Sequence, residues 1–137
     1  MQKYVVGFLF DGKGYVALIN KTHPEWQKGR LNGIGGKIED GETPEVAMRR
    51  EFYEEAGLLL NWDKFAVSKG NNYEVHIFKT RLVKGNSDIR SMTDEKVGWY
   101  LIDKLPENII PELAYLIPMA NYKLDITAEI FHESETC

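Results

Sequence analysis

Residues 36–58, GKIEDGETPEVAMRREFYEEAGL, restrict what this chain can become more than any other stretch, because helix signals converge there. Thr43 is a suitable N-cap, Pro44 suits the first helical position, Glu45 complements the positive end of the helix dipole, and Gly57 is a natural stop. On a helix so bounded, Glu51, Glu54 and Glu55 stand at i, i+3 and i+4, which places all three carboxylates on one face. Met48, Phe52 and Ala56 fall on another face, so the helix can pack on a sheet while its acids point into a cleft.

Like charges so close repel unless the face is fully solvated or a cation sits among them. An all-oxygen ligand set suits a hard ion such as Mg²⁺ or Mn²⁺. For the helix alone a plain solvated acidic face is the alternative, since Glu is a good helix former. Gly35-Gly36 and the Asp40-Gly41 turn shift the balance, because bare backbone beside an acidic cluster can offer a carbonyl ligand. Two phosphate-binding patterns fail. Ile38 stands where a P-loop needs Ser or Thr, and where a dinucleotide fingerprint starting at Gly33 needs its last Gly.

The remainder reads as scaffold. Apolar runs Tyr4 to Phe10 and Tyr15 to Ile19 flank the turn Asp11-Gly12-Lys13-Gly14, which predicts a β-hairpin. Residues 20–30 lack periodicity and read as a loop carrying Trp26. Leu31 to Ile38 is a glycine-rich strand-like piece, and Leu58 to Leu60 and Phe65 to Val67 are short apolar pieces. A turn at Lys69 to Asn72 precedes the longest strand candidate, Tyr73 to Val83. His76 there faces away from Val75 and Ile77, as a cleft or surface histidine. After a loop at Lys84 to Asp88, Val97 to Ile102 reads as a strand. The spacing of Leu113, Leu116, Ile117 and Ala120 predicts a helix over Pro111 to Leu124 despite Pro118, and Ile126, Ala128 and Ile130 alternate in the tail. The alternation of strands and helices predicts an α/β sandwich with a mixed sheet.

A chain of 137 residues with 43% hydrophobic and 12% aromatic content fits one domain over 1–137. Net charge is −4 at pH 7 and pI about 5.4, so no general basic field draws nucleic acid or membrane. An anionic substrate must therefore be met locally, by metal or arginine. The one cysteine, Cys137, allows no intrachain disulfide and fits a reducing compartment. With neither a signal-peptide pattern nor a run long enough to cross a membrane, a cytoplasmic chain is expected.

Gly36, five residues, Glu42, seven residues, then Arg50-Glu51-Phe52-Tyr53-Glu54-Glu55-Ala56-Gly57-Leu58 resembles the Nudix box, GX5EX7REUXEEXGU with U a bulky apolar residue. Every fixed position matches, and Phe52 stands where the family usually has an aliphatic residue. The resemblance implies a Nudix-type α/β/α sandwich. It also implies Mg²⁺- or Mn²⁺-dependent hydrolysis of a nucleoside diphosphate linked to another group, with Glu51, Glu54 and Glu55 as metal ligands. In the MutT-like branch the carbonyl of the glycine before the box, here Gly35, also ligates. Arg50 would orient the acids, and Glu54 or Glu55 would act as base. Glu42 would support the loop.

Residues 29–37, with Val75-His76-Ile77-Phe78, Asp94-Glu95, Trp99 through Asp103, Leu105-Pro106, Pro111-Glu112, Tyr115 and Pro118, are similar in the same order to the mammalian 8-oxo-dGTP diphosphatases of that branch. The likeness assigns Glu95 as a further metal ligand and Asn32, Lys37, Trp26, Glu112 and Tyr115 to the substrate pocket. Leu113 departs from it, since that group has a second acid there to read the base. The expected substrate is a small nucleotide, a nucleoside triphosphate such as an oxidised purine, cleaved to monophosphate and pyrophosphate by a monomer. ADP-ribose, a dinucleoside polyphosphate or a capped RNA end is the enzymatic alternative. A non-catalytic nucleotide sensor is the other.

Overall fold

Apolar side chains fall on both faces of the first strand, β1 (Gln2–Phe10), so it needs cover on both sides. The computed structural model describes residues 1–122 and 125–133. Val5 and Leu9 enter one apolar cluster with Met48, Phe52 and Ala56, while Phe8 and Phe10 enter a second with Leu113, Leu116 and Ile117. The first cluster lies under α1 (Pro44–Ala56) and the second under α2 (Leu113–Ala120). An α/β/α sandwich results, as expected.

The expected hairpin joins β1 to β2 (Tyr15–Asn20), and a three-residue 3₁₀ turn at Glu25–Gln27 follows. The glycine-rich piece read as one strand is two: β3 (Leu31–Asn32) pairs with β2, and β4 (Ile34–Lys37) pairs with β1. Gly33 lies between them, tight against Val6 and Phe8. After α1 come β5 (Asp63–Lys69), β6 (Tyr73–Arg81), β7 (Val97–Leu101) and β8 (Ala128–Phe131). The sheet order is β3-β2-β1-β6-β5-β8, with β7 on β2 and β4 on β1. It is mixed, since β1/β6 and β5/β8 run parallel and the other pairs antiparallel.

Three expectations are corrected. α2 begins at Leu113 rather than Pro111 and ends at Ala120, two residues beyond Pro118, whose missing N–H and ring favour an early stop; 123–124 lie outside the described residues, as does Cys137. β6 ends at Arg81, and Leu82 turns back to donate to the Phe10 carbonyl. His76 does face away from Ile77, yet it is 9% exposed, with Nε2 2.7 Å from Glu74 and Nδ1 3.1 Å from Lys64. It is a tethered interior residue rather than a cleft group. Phe52 is fully buried, its ring centroid 5.0 Å from that of Trp62.

Candidate active site

The helix that carries the acids is fixed at both ends by its own sequence. Thr43 Oγ1 accepts the Val46 N–H at 3.2 Å, and Pro44 opens the first turn. Gly57 closes the helix at φ 80°, where a side chain would be strained and a Cβ would lie 2.8 Å from Arg90 Nε. Beyond it, the Arg90 and Met92 N–H groups donate to the Ala56 and Glu55 carbonyls at 3.1 Å each. Those bonds dock the segment that continues to Glu95.

Arg50 is the hub. Its Nε and one terminal nitrogen grip Glu42 at 2.7 and 2.9 Å, the other terminal nitrogen reaches Glu51 at 2.8 Å and Glu54 at 3.3 Å, and the Lys37 carbonyl accepts a further bond at 3.0 Å. This two-pronged grip holds the Glu42 carboxyl down at about 2, with the Glu39 N–H helping. The same pairing raises the Arg50 guanidinium further above its ordinary value. For Glu51, burial outweighs Arg50 and pushes the carboxyl up.

Glu55 stands apart. One carboxylate oxygen is sealed from solvent without a hydrogen-bond partner. Burial, then Glu51, push its carboxyl up to about 8 against the pull of Lys21, with Glu95 and Glu54 adding to the rise. Glu95, 3% exposed, turns toward the loop after β2. One of its oxygens accepts from Lys21 Nζ at 3.2 Å, the other from the Thr22 N–H at 2.6 Å and from Thr22 Oγ1 at 3.2 Å. Burial alone would raise its carboxyl, but the Thr22 bond and Lys21 hold it below the ordinary range. Lys21 thus lies between two acids, a role that its aperiodic loop does not announce in sequence.

The donor set fits a hard divalent cation. A Cβ on Gly36 would lie 2.5 Å from the Glu51 carboxylate, so only glycine leaves room for that carboxylate against the strand. Gly35 pairs with Val6 on β1 and approaches it so closely that a Cβ there would fall on the Val5 carbonyl, so its backbone is bare beside Gly36 and the acids. With the unpartnered Glu55 oxygen, these are oxygen donors of the kind Mg²⁺ takes. Among the described residues no three His, Cys, Asp or Glu side chains are drawn close enough to hold a metal ion as they stand. Glu51 leans on Arg50, and Glu95 on Lys21 and Thr22.

The residues expected to meet the substrate are more scattered. Backbone bonds between Leu31 and both Asn108 and Ile110 lace β3 to the segment entering α2. Asn32 donates to Gln27 Oε1 at 3.0 Å and accepts the Gly33 N–H at 2.8 Å. Glu112 precedes α2 and makes no capping bond. Tyr115, 41% exposed, has its hydroxyl pKa raised by burial, by Glu112 and by Tyr73. Tyr73 was not singled out in sequence, although it shares the strand face of Val75 and Ile77. Trp26 is 66% exposed on its 3₁₀ turn, and the Lys37 side chain is exposed. Leu113 is 2% exposed in the core under α2, so it has no free edge to offer a base.

Against known proteins, a family model described as the NUDIX domain matches residues 1–120. The chain is 37% identical over 86 residues to the oxidized purine nucleoside triphosphate hydrolase of Danio rerio, covering 57% of this chain and 53% of that one. To the protein of the same name from Mus musculus it is 31% identical over 99 residues, covering 66% and 62%. It therefore spans less than two thirds of either relative's length. An RNA pyrophosphohydrolase of Aliivibrio fischeri is 39% identical over 67 residues, covering 49% and 38%. In structure, a NUDIX hydrolase from Nitrosomonas europaea superposes at TM-score 0.80 with 15% identity, covering 97% of this chain and 79% of that one, a likeness of fold alone.

Proposed function

The chain belongs to the Nudix family, and from that premise we propose that it hydrolyses a nucleoside triphosphate to monophosphate and pyrophosphate. One observation carries the reading: the carboxylate oxygen of Glu55, sealed from water and without a partner, lies on the same helix as Glu51 and Glu54, which Arg50 clamps. Burial disfavours the ionised form of that carboxyl, and a cation supplied from solution would favour it.

Glu51, Glu54 and Glu55, with the Gly35 carbonyl and Glu95, would hold Mg²⁺ or Mn²⁺. When bound, the cation neutralises diphosphate oxygens and acidifies water. Arg50 keeps Glu51 and Glu54 in fixed orientation, and Glu42 in turn keeps Arg50. Of the three, Glu55, with a buried oxygen that makes no hydrogen bond, would take the proton of the attacking water in place of acting as a permanent ligand. Water oxygen bonds to phosphorus as the bridging P–O bond breaks, and pyrophosphate leaves with the electron pair. Lys21, bonded to Glu95, adds positive charge beside the residues read as holding the cation.

Asn32, Glu112 and Tyr115 contact the base, with Trp26 and Lys37 at the margin of the pocket. An oxidised purine is the first candidate, since two relatives carry that substrate in their names. Leu113 favours a second reading within the same chemistry: with that side chain buried, Glu112 is left as a single acidic reader, which suits a canonical nucleotide.

A screen over canonical and oxidised triphosphates and sugar nucleotides, with Mg²⁺, read as phosphate released only after added pyrophosphatase or phosphatase acts on the products, tests the reading. Turnover of at least one triphosphate is expected, and its loss in Glu55→Gln. An inactive wild-type protein that binds nucleotide tightly would instead indicate a sensor.

A further inference from the structure

A cavity of about 270 Å³ opens beside Lys21 and is lined by Lys28 and Lys96, with Thr22, Gly29 and Asp94 completing its wall. Its size is below the roughly 300–1,000 Å³ of pockets that enclose whole ligands, so it suits part of a ligand rather than all of one. The lysines come from two loops pinned by backbone bonds: the Gly29 N–H donates to the Lys21 carbonyl and the Asn20 N–H to the Lys96 carbonyl, each at 2.8 Å. Lys21 is committed to Glu95, but neither Lys28 nor Lys96 makes an ion pair among the described residues. Two uncommitted ammonium groups at one pocket, against one carboxylate from Asp94, form a local positive site on a chain of net charge −4.

We propose that this cavity is an anion subsite that takes the terminal phosphoryl group of the substrate, with Lys28 and Lys96 as its specificity-determining residues. The inference rests on the triphosphate reading, because Lys21 lines the cavity and its Nζ bonds Glu95, one of the residues read as holding the cation, at 3.2 Å. A phosphate chain engaged at Glu55 and continuing past Lys21 ends at the pair of lysines. Substrates that end in a phosphoryl group gain from the site. A diphosphate closed on both sides by sugars does not reach it.

The test is the double substitution Lys28→Ala/Lys96→Ala, at exposed positions outside the core. Inorganic pyrophosphate titrated calorimetrically into wild-type and variant protein, with Mg²⁺, should bind about tenfold more weakly to the variant. KM for a turned-over triphosphate should rise by a similar factor with kcat within about twofold, while KM for ADP-ribose stays within about twofold. Unchanged pyrophosphate affinity overturns the proposal, and so does an equal rise in KM for both substrates, which marks a general field. Should the wild type turn over no nucleotide, the proposed function fails while the pyrophosphate titration still decides the subsite.

Discussion

The Glu55 backbone carbonyl accepts the Met92 N–H at 3.1 Å, so the residue with the unpartnered carboxylate also anchors the segment that delivers Glu95. Helix end and loop are one mechanical unit. Met92→Pro removes that donor at a cost of about 1 kcal/mol. Faster amide exchange across residues 90–96 and about tenfold lower activity are expected, whereas Met92→Ala, which keeps the bond, should change neither by much.

Gly36→Ala places a methyl group where the Glu51 carboxylate now lies. The Mg²⁺ concentration for half-maximal activity should rise about 10–100-fold, while the thermal midpoint moves by only a few degrees. An unchanged Mg²⁺ requirement would mean that Glu51 does not hold the ion in this pose.

Arg50→Lys keeps the charge but loses the two-pronged grip on Glu42 and the simultaneous reach to Glu51 and Glu54. Urea unfolding should show a loss of about 1–3 kcal/mol, and activity should fall further than that loss of fold accounts for. Equal activity in folded variant and wild type would remove Arg50 from its positioning role.

Much of this arrangement was legible in sequence, because its signals are local. Thr43, Pro44 and Gly57 bound α1 where expected, and the spacing of Glu51, Glu54 and Glu55 puts them within reach of one arginine. Long-range pairing was not legible. Leu31 to Ile38 reads as one strand, yet β3 and β4 answer to different neighbours, a choice made by β1 and β2 rather than by the segment itself. Lys21 and Tyr73 gain their importance from residues distant in the chain, and His76 is interior because Lys64 and Glu74 satisfy it. The lacing of Leu31 to Asn108 and Ile110, which ties β3 to the segment before α2, has no sequence period.

The Glu42 carboxyl, ordinarily near 4.5, is held at about 2 in the fold by Arg50. A lowered carboxylate pKa means the ionised form is favoured by folding, so the contribution is complete above about 4.5 and disappears as pH falls through about 2. After allowance for partial exposure it amounts to about 2 kcal/mol. Glu42→Gln should therefore be less stable than wild type at pH 6, with the gap closing between pH about 4.5 and about 2. A gap that persists at the acid end would assign the effect to packing.

The most direct measurement is product analysis. Incubated with Mg²⁺ and the most readily consumed nucleoside triphosphate, the protein should yield nucleoside monophosphate and pyrophosphate in equal amounts, and Glu55→Gln should slow their appearance about 10²–10⁴-fold while unfolding at a similar temperature. Nucleoside diphosphate and inorganic phosphate as the products, or full activity in folded Glu55→Gln, would contradict the account.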